Sequence, residues 1–289
     1  MRIDIELLRI ISAFGIVWLH SAMPLGREVS YGGLIFFVII AAYFTTVSNR
    51  PNKPITRFKR LIIPCAIWSV LYGLLNLVGK GNICPENYRL FNCILSTPST
   101  HLWYLPYIYL VTVLIEQSKA VFSKQRIGFF CSIVAIILML AAPTWSVFTL
   151  ASPWNLYLHA LPAVLIGTFL GCYDSLEKNF RLFILSGIIT SIVITVSTLP
   201  DGVGIPYLSG TLPSLVLLTS DVLKKYQLNI RPLSSLMYGV YLIHLALVLI
   251  FLSIGFNNYF LPFVAFGLSV LLIYAIKKIL PKNIYQYLI

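Results

Sequence analysis

Long apolar runs alternate with short polar connections along most of the chain. A transmembrane helix needs about 20 apolar residues to cross the ~30 Å hydrocarbon core of a bilayer. Runs of about this length predict ten helices, at about residues 5–23, 31–47, 61–79, 102–117, 127–142, 155–173, 182–199, 206–222, 235–253 and 258–276. The fifth run is short, and the eighth contains Pro206, Gly210 and Pro213, which membrane helices tolerate. The alternating segments of a membrane β-barrel are missing from the sequence, so the pattern predicts an all-α, polytopic membrane bundle.

The composition agrees with this interpretation. Hydrophobic residues make up 58% of the 289 residues and charged residues 10%, whereas a soluble domain carries roughly 25% charged residues. A net charge of +12 is also typical of nucleic-acid-binding proteins, but here the basic residues stand in short clusters between apolar runs. We therefore expect a lipid bilayer, and no nucleic acid, as a partner. The sequence shows no soluble domain and no internal repeat, so residues 1–289 form one predicted domain.

Lysine and arginine are distributed unequally between alternate connections. If the N-terminus is cytoplasmic, 17 of them fall on the cytoplasmic side, and three, Arg27, Lys80 and Arg89, fall outside. Cytoplasmic connections of membrane proteins carry such an excess. The bias predicts an even number of spans, about ten, with both termini in the cytoplasm. Since no targeting segment is recognisable, it also favours a bacterial inner membrane.

The longest predicted connection, at about residues 80–101, lies on the outer side and carries Cys84 and Cys93 in "NICPENYRLFNC". The other three cysteines lie in predicted spans. In an oxidising compartment two cysteines in one loop can form a disulfide. The alternative is a pair of unbonded thiols packed at the surface, and the sequence leaves both open.

Two ionisable side chains, Arg9 and His20, interrupt the first apolar run, although such groups are energetically costly to place in a membrane. At about 100° per residue, eleven steps return a helix to within about 20° of its start, and they span roughly 16 Å. Both residues therefore lie on one helix face, with Arg9 on the cytoplasmic side. Arg9 is either an interfacial anchor, an ion-pair partner of Glu6 three residues earlier, or part of a site. His20 is either a buried hydrogen-bonded histidine or a base that faces a cavity.

Other polar residues repeat this order of depth. Arg57 and Arg60 begin the third predicted span and, three residues apart, face the same direction. They either grip phosphates or only set topology. His101 lies at the outer start of the fourth span, His159 in the outer part of the sixth and His244 near the middle of the ninth. The sequence thus predicts a cationic layer inside and a histidine-bearing layer towards the outside.

Several chemistries lack their sequence patterns. No two histidines have metal-ligand spacing of three or four residues, and no His-Glu-x-x-His occurs, so no metal is expected. The nucleophile elbow, the P-loop and the dinucleotide-binding glycine pattern are also missing. The outer layer has no paired carboxylates of the kind that glycosidases use. A single imidazole acting as a general base remains the favoured chemistry.

Four stretches of the sequence resemble the membrane acyltransferases of family 3, which include bacterial polysaccharide O-acetyltransferases. They are "ELLRIISAFGIVWLH", "RFKRLIIP", "HLWYL" and "SSLMYGVYLIH", in the family's order and on the expected spans. The residues that match the family's motifs are Glu6, Arg9 and His20, then Arg57 and Arg60, then His101 and Trp103, and last Tyr241 and His244. Where members often carry Ser-Gly in the second span, this chain has Ala41 and Ala42, which retain only a small-residue packing role.

The resemblance implies an enzyme that moves an acetyl group from cytosolic acetyl-CoA, a co-substrate, to a hydroxyl of a lipid-linked or surface polysaccharide. No permanently bound cofactor is expected. The implied acyl-CoA-binding residues are Arg9, Arg57 and Arg60. His20 is the implied general base, or it carries the acyl group covalently.

Further residues from the motifs are implied to bind the acceptor or to support the bundle, namely Glu6, His101, Trp103, Tyr241 and His244. The rival function is a transporter or flippase of lipid-linked glycans. Transporters tend to show internal repeats and paired broken helices, and the sequence has no such repeat.

Overall fold

The computed structural model describes residues 3–21, 23–49, 54–84, 93, 98–99, 101–147, 150, 152–219 and 229–288. Within these ranges the regular structure is helical, without strands. Ten helices of at least 15 residues fall in the described part: α1 (Ile3–His20), α2 (Arg27–Val47), α3 (Pro54–Lys80), α4 (Tyr104–Val121), α5 (Lys124–Leu140), α6 (Trp154–Cys172), α7 (Lys178–Thr198), α8 (Ile205–Thr219), α9 (Met237–Ser253) and α10 (Leu261–Ile279). Short helices such as Arg231–Ser234 and Lys282–Leu288 connect or follow them.

Each predicted apolar run coincides with one of these helices. In the described part, six helical stretches are long and apolar enough to cross a membrane: α2, most of α3, α6 with the turn after it, α7, α8 with the turn before it, and α10. The prediction of an all-α chain with membrane-spanning helices is therefore confirmed. Helix α9 is apolar but has 17 residues, and α1 carries Asp4, Glu6 and Arg9. Ten crossings and two cytoplasmic termini stay predictions.

Helix α2 is the central helix of the larger core. It packs against α1, α4, α6 and α8. Gly167 of α6 makes the closest approach to the backbone of α2, because a Cβ atom there would lie 2.3 Å from the carbonyl oxygen of Ile39 and 2.9 Å from the Cβ atom of Ala42. Small residues allow membrane helices to pack backbone against backbone. Ala42, which is fully buried, takes part in this small-residue contact.

A second part of the core joins α1 to α9 and α10 through buried residues such as Val17, Val240 and Ala265. A third cluster lies between α1, α3, α9 and the turn before α4, and it includes Tyr72 and Tyr241. This cluster surrounds the candidate site.

Large apolar side chains also cover much of the outer surface. Val78 is 89% exposed and Phe183 is 72% exposed, and both lie on helices that are long and apolar enough to cross a membrane. Water-soluble proteins rarely expose apolar patches of this extent, whereas lipid solvates them. The outer surface thus fits a bilayer environment.

The C-terminal segment folds back onto the bundle. After α10, the helix Lys282–Leu288 packs along α3. The indole Nε1 of Trp68 donates a hydrogen bond of 2.8 Å to the carbonyl oxygen of Leu288. This contact ties the end of the described chain to the middle of α3.

Candidate functional site

Three of the chain's four histidines meet in the third cluster. His20 is the last residue of α1, His244 lies in the middle of α9, and His101 lies in the turn just before α4. Their ring centroids are 5.3 Å apart for His20 and His244, 5.0 Å for His101 and His244, and 6.1 Å for His20 and His101. His101 and His244 are buried, whereas His20 is half-buried. We refer to these three residues as the histidine trio.

A local turn holds the ring of His101. The Nδ1 atom lies 2.8 Å from the hydroxyl of Ser99, and the N–H of Leu102 donates to the carbonyl oxygen of Ser99. The hydroxyl of Tyr241 donates to the carbonyl oxygen of His101. Since Tyr241 is one turn from His244 on α9, this bond fixes the two buried histidines relative to one another.

The hydrogen bonds of His244 determine where its proton lies. Its Nδ1 atom is 2.8 Å from the carbonyl oxygen of Tyr241 and 3.2 Å from that of Val240. A carbonyl oxygen only accepts hydrogen bonds, so Nδ1 carries the proton. In the neutral ring, the Nε2 atom is then the one with a free lone pair.

Tyr72 of α3 anchors α9 beside the trio. Its hydroxyl donates to the carbonyl oxygen of Leu242 (2.9 Å) and accepts from the N–H of Ala246 (3.1 Å). These two residues come two positions before and two positions after His244. Its ring lies 5.2 Å from that of His101. Tyr72 cannot be recognised from the sequence, because a tyrosine in an apolar run carries no distinguishing pattern.

Arg9, eleven residues before His20 on α1, forms the ion pair with Glu6 that the sequence allowed, at 3.3 Å. Glu6 also accepts a hydrogen bond from the hydroxyl of Ser234, in the short helix before α9. The Arg9 side chain remains 40% exposed. The ion pair therefore engages one terminal nitrogen of the guanidinium and leaves part of the side chain accessible.

Arg57 and Arg60 differ in their surroundings. Arg57 donates to the carboxylate of Glu116 (2.8 Å) and to the carbonyl oxygen of Thr112 (2.6 Å), both on α4. Lys119 shares Glu116 at 3.2 Å. The side chain of Arg60 is exposed. Of the two arginines, Arg60 is the one that is open to a ligand, and Arg57 links α3 to α4.

Trp103 and His159 lie away from the trio. The buried ring of Trp103 packs against Tyr107 and Tyr157 in the larger core. His159 stacks on Tyr31, with centroids 5.0 Å apart, and its Nε2 atom is 2.7 Å from the carbonyl oxygen of Gly202. The predicted histidine-bearing layer therefore divides into a trio and one histidine with a separate set of partners.

Cys84 and Cys93 are joined by a disulfide bond, and their Cα atoms are 6.1 Å apart. The remaining cysteines, Cys65, Cys131 and Cys172, are free and buried. Among the described residues, no group of three or more histidine, cysteine or acidic side chains is arranged to hold a metal ion.

The helices and the site define a class of protein: a helical membrane protein with a buried imidazole cluster about 16 Å along α1 from an arginine. The chain belongs to acyltransferase family 3, since the family's acyltransferase domain matches residues 2–277, nearly its whole length. The resemblance inferred from the four motifs is confirmed, and the chain is a membrane acyltransferase. No curated protein and no solved structure matches it.

Proposed function

We propose that the protein transfers an acetyl group from cytosolic acetyl-CoA to a hydroxyl group of a lipid-linked or surface polysaccharide, of the O-antigen or exopolysaccharide type. Within the family, the histidine trio is the observation that carries this proposal. Ionisable groups inside a membrane protein are costly and usually functional. Three imidazoles in ring contact, one of them half-buried, form a site that can take up a proton and return it.

The arginine side chains of α1 and α3 support the binding of a polyanionic acyl donor. Arg9 and Arg60 are at least partly exposed, and Arg57 lies one helical turn before Arg60 on α3. Guanidinium groups bind phosphates through bidentate, charge-assisted hydrogen bonds. The distance from Arg9 to His20 along α1, roughly 16 Å, is about half the bilayer core. An extended pantetheine arm placed along α1 brings the thioester towards His20.

His20 serves as the general base in the proposed reaction. It removes the proton of the acceptor hydroxyl as the oxygen attacks the thioester carbonyl carbon. The new C–O bond forms, the C–S bond breaks, and His20 returns the proton to the sulfur, so that free CoA leaves as a thiol. The alternative is an acetyl-imidazole on His20, which the acceptor hydroxyl attacks in a second step. Mass spectrometry of protein quenched without acceptor separates the two routes.

The acceptor and the location are also part of the proposal. The disulfide lies in the connection that the charge bias places outside, which agrees with an oxidising compartment on that side. His20 is at the end of α1 nearest this side in the same topology. We infer a bacterial inner membrane, with the donor bound from the cytoplasm and the acceptor reached from the outer half.

The test compares surface glycan from a deletion strain carrying the wild type, His20→Ala or Ser21→Ala. Ser21→Ala is the matched control, because the hydroxyl of this neighbouring residue bonds to the carbonyl oxygen of Val17, one turn back in α1. We expect His20→Ala to abolish the acetyl esters and to leave the polymer and the membrane content of the protein unchanged. Full acetylation with His20→Ala contradicts the base assignment. Loss of the polymer itself supports the transporter.

A further inference from the structure

The Nε2 atom of His244 is buried and without a hydrogen-bond partner among the described residues. Its Nδ1–H is committed to the carbonyl oxygens of Tyr241 and Val240, so Nε2 is an acceptor. Buried polar atoms in folded proteins are nearly always hydrogen-bonded, and an exception calls for an explanation. An acceptor of fixed direction at this position calls for a donor.

His20 is in position to supply that donor. Two imidazoles joined by an N–H···N hydrogen bond have ring centroids about 5 Å apart, since each nitrogen lies about 1 Å from its centroid. The centroids of His20 and His244 are 5.3 Å apart, and the planes of the two rings are tilted by 44°. A small rotation of the His20 ring aligns the bond, and catalytic hydrogen bonds are often long until substrate binds.

We propose that His244 is the positioning residue of His20: its Nε2 atom accepts a hydrogen bond from one nitrogen of His20 and leaves the other nitrogen as the base. The inference rests on the proposed function, in which His20 takes the acceptor proton. A general base histidine needs its second nitrogen protonated and oriented, which is usually the work of a carboxylate or a carbonyl group. None of the ion pairs found among the described residues involves a histidine.

The neighbours of the pair leave this role to His244. His101 has partners of its own, since its Nδ1 atom lies 2.8 Å from the Ser99 hydroxyl and its ring interacts with the backbone of Leu242. Tyr72 and Tyr241 donate their hydroxyl protons to backbone carbonyl oxygens. Arg27, at the start of α2, is the charged group that acts on His20. Two carbonyl partners set the tautomer of His244, and its Nε2 atom is the acceptor left for His20.

The proton balance of the reaction is unchanged by this step. The acceptor hydroxyl gives its proton to the free nitrogen of His20, and the same proton goes to the departing sulfur. His244 keeps its Nδ1 proton throughout and stabilises the transient positive charge on His20. It contacts neither the thioester nor the acceptor.

The experiment compares purified His244→Leu and His244→Gln with the wild type in lipid nanodiscs. We expect His244→Leu to lower kcat about 10²-fold or more, with the KM for acetyl-CoA nearly unchanged, since the binding of the donor is not affected. His244→Gln should recover about tenfold of that loss, because the amide oxygen restores an acceptor. The acidic limb of the kcat/KM profile should move to lower pH in His244→Leu, since His20 loses the acceptor that stabilises its charged form.

Equal activity of the two variants, or an unmoved acidic limb, overturns the inference and leaves His244 as a packing residue. His101→Leu and His101→Gln form the matched pair, for which no rescue by glutamine is expected. If the His244 variants do not fold, ¹⁵N-histidine NMR of the wild type decides, because a proton on Nε2 of His244 contradicts the proposal. An inactive His20→Ala with a fully active His244→Leu refutes this inference alone, whereas an active His20→Ala refutes the base assignment beneath it.

Discussion

The guanidinium of Arg57 and the carboxylate of Glu116 form an ion pair of 2.8 Å that joins α3 to α4 across 59 residues of sequence. The side chains are 11% and 19% exposed, so the pair is largely shielded from water. A second bond from Arg57 to the carbonyl oxygen of Thr112 fixes its orientation. The motif that implied phosphate binding thus contains one arginine with a structural role.

We predict that Glu116→Ala destabilises the protein, by about 1–3 kcal/mol, because it leaves the positive charge of Arg57 shielded and without its partner. The midpoint of thermal unfolding in detergent should fall accordingly. The double variant Arg57→Ala with Glu116→Ala should lose less than the sum of the two single changes. Additive losses in this cycle would mean that the two side chains do not interact.

Arg60 should contribute more than Arg57 to donor binding. Its side chain is exposed, and a charge-assisted hydrogen bond to a phosphate contributes about 1.5–3 kcal/mol. We expect Arg60→Ala to raise the KM for acetyl-CoA about tenfold without lowering the unfolding midpoint. Lys59→Ala, an exposed neighbour on the same helix, is the control. If the Lys59 and Arg60 variants have the same KM, Arg60 serves topology alone.

Much of the architecture could be predicted from the sequence, because apolar length alone locates membrane helices. Each predicted run coincides with a long helix, and even α8, with Pro206 and Pro213, is helical from Ile205–Thr219. Pro206 stands in the first turn, where an N–H group has no intrahelical partner, and membrane bundles tolerate a proline inside a helix such as Pro213. The motifs also indicated the three histidines that meet.

What the sequence could not show is how side chains at similar predicted depth are distributed between clusters. His159 and His101 belong to the same predicted layer, yet His159 bonds to Gly202 and His101 joins the trio. The partner of Arg57 lies 59 residues away, and no spacing rule reaches that far. Tyr72 affects His244 only because α3 and α9 pack together, which periodicity does not predict.

The disulfide gives a test of the predicted orientation. A membrane-impermeant maleimide should label intact cells only after mild reduction, because Cys84 and Cys93 are bonded and the other cysteines are buried. Cys93→Ser should label without reduction, at the half-buried Cys84. Labelling that requires permeabilised cells would place this connection on the cytoplasmic side and reverse the topology. The double variant Cys84→Ser with Cys93→Ser controls for background.

His159 and Glu28 together hold the turn between α7 and α8. The carboxylate of Glu28 accepts a hydrogen bond of 2.6 Å from the N–H of Gly202. The Nε2 atom of His159 donates to the carbonyl oxygen of the same glycine. Gly202 has a φ of +75°, which other residues adopt at a cost. We predict that His159→Ala lowers the stability by about 1–3 kcal/mol, since a partly buried carbonyl group loses its donor. Activity per folded molecule should be retained, and a loss of kcat at constant stability would instead make His159 part of the site.

Gly167 should be the position on α6 least tolerant of even a methyl group. A Cβ atom there would lie 2.3 Å from the carbonyl oxygen of Ile39, which belongs to the backbone of α2 and cannot rotate away. Gly167→Ala must therefore separate two helices of the larger core, and overpacking of this kind costs about 1–3 kcal/mol or more. Gly267→Ala is the matched control, because no atom lies within 4 Å of its Cβ position in α10. We expect the control to be neutral or slightly stabilising, since alanine favours the helix. Fluorescence-detected size exclusion during heating would measure both, and equal midpoints for the two variants would show that α2 and α6 do not approach so closely.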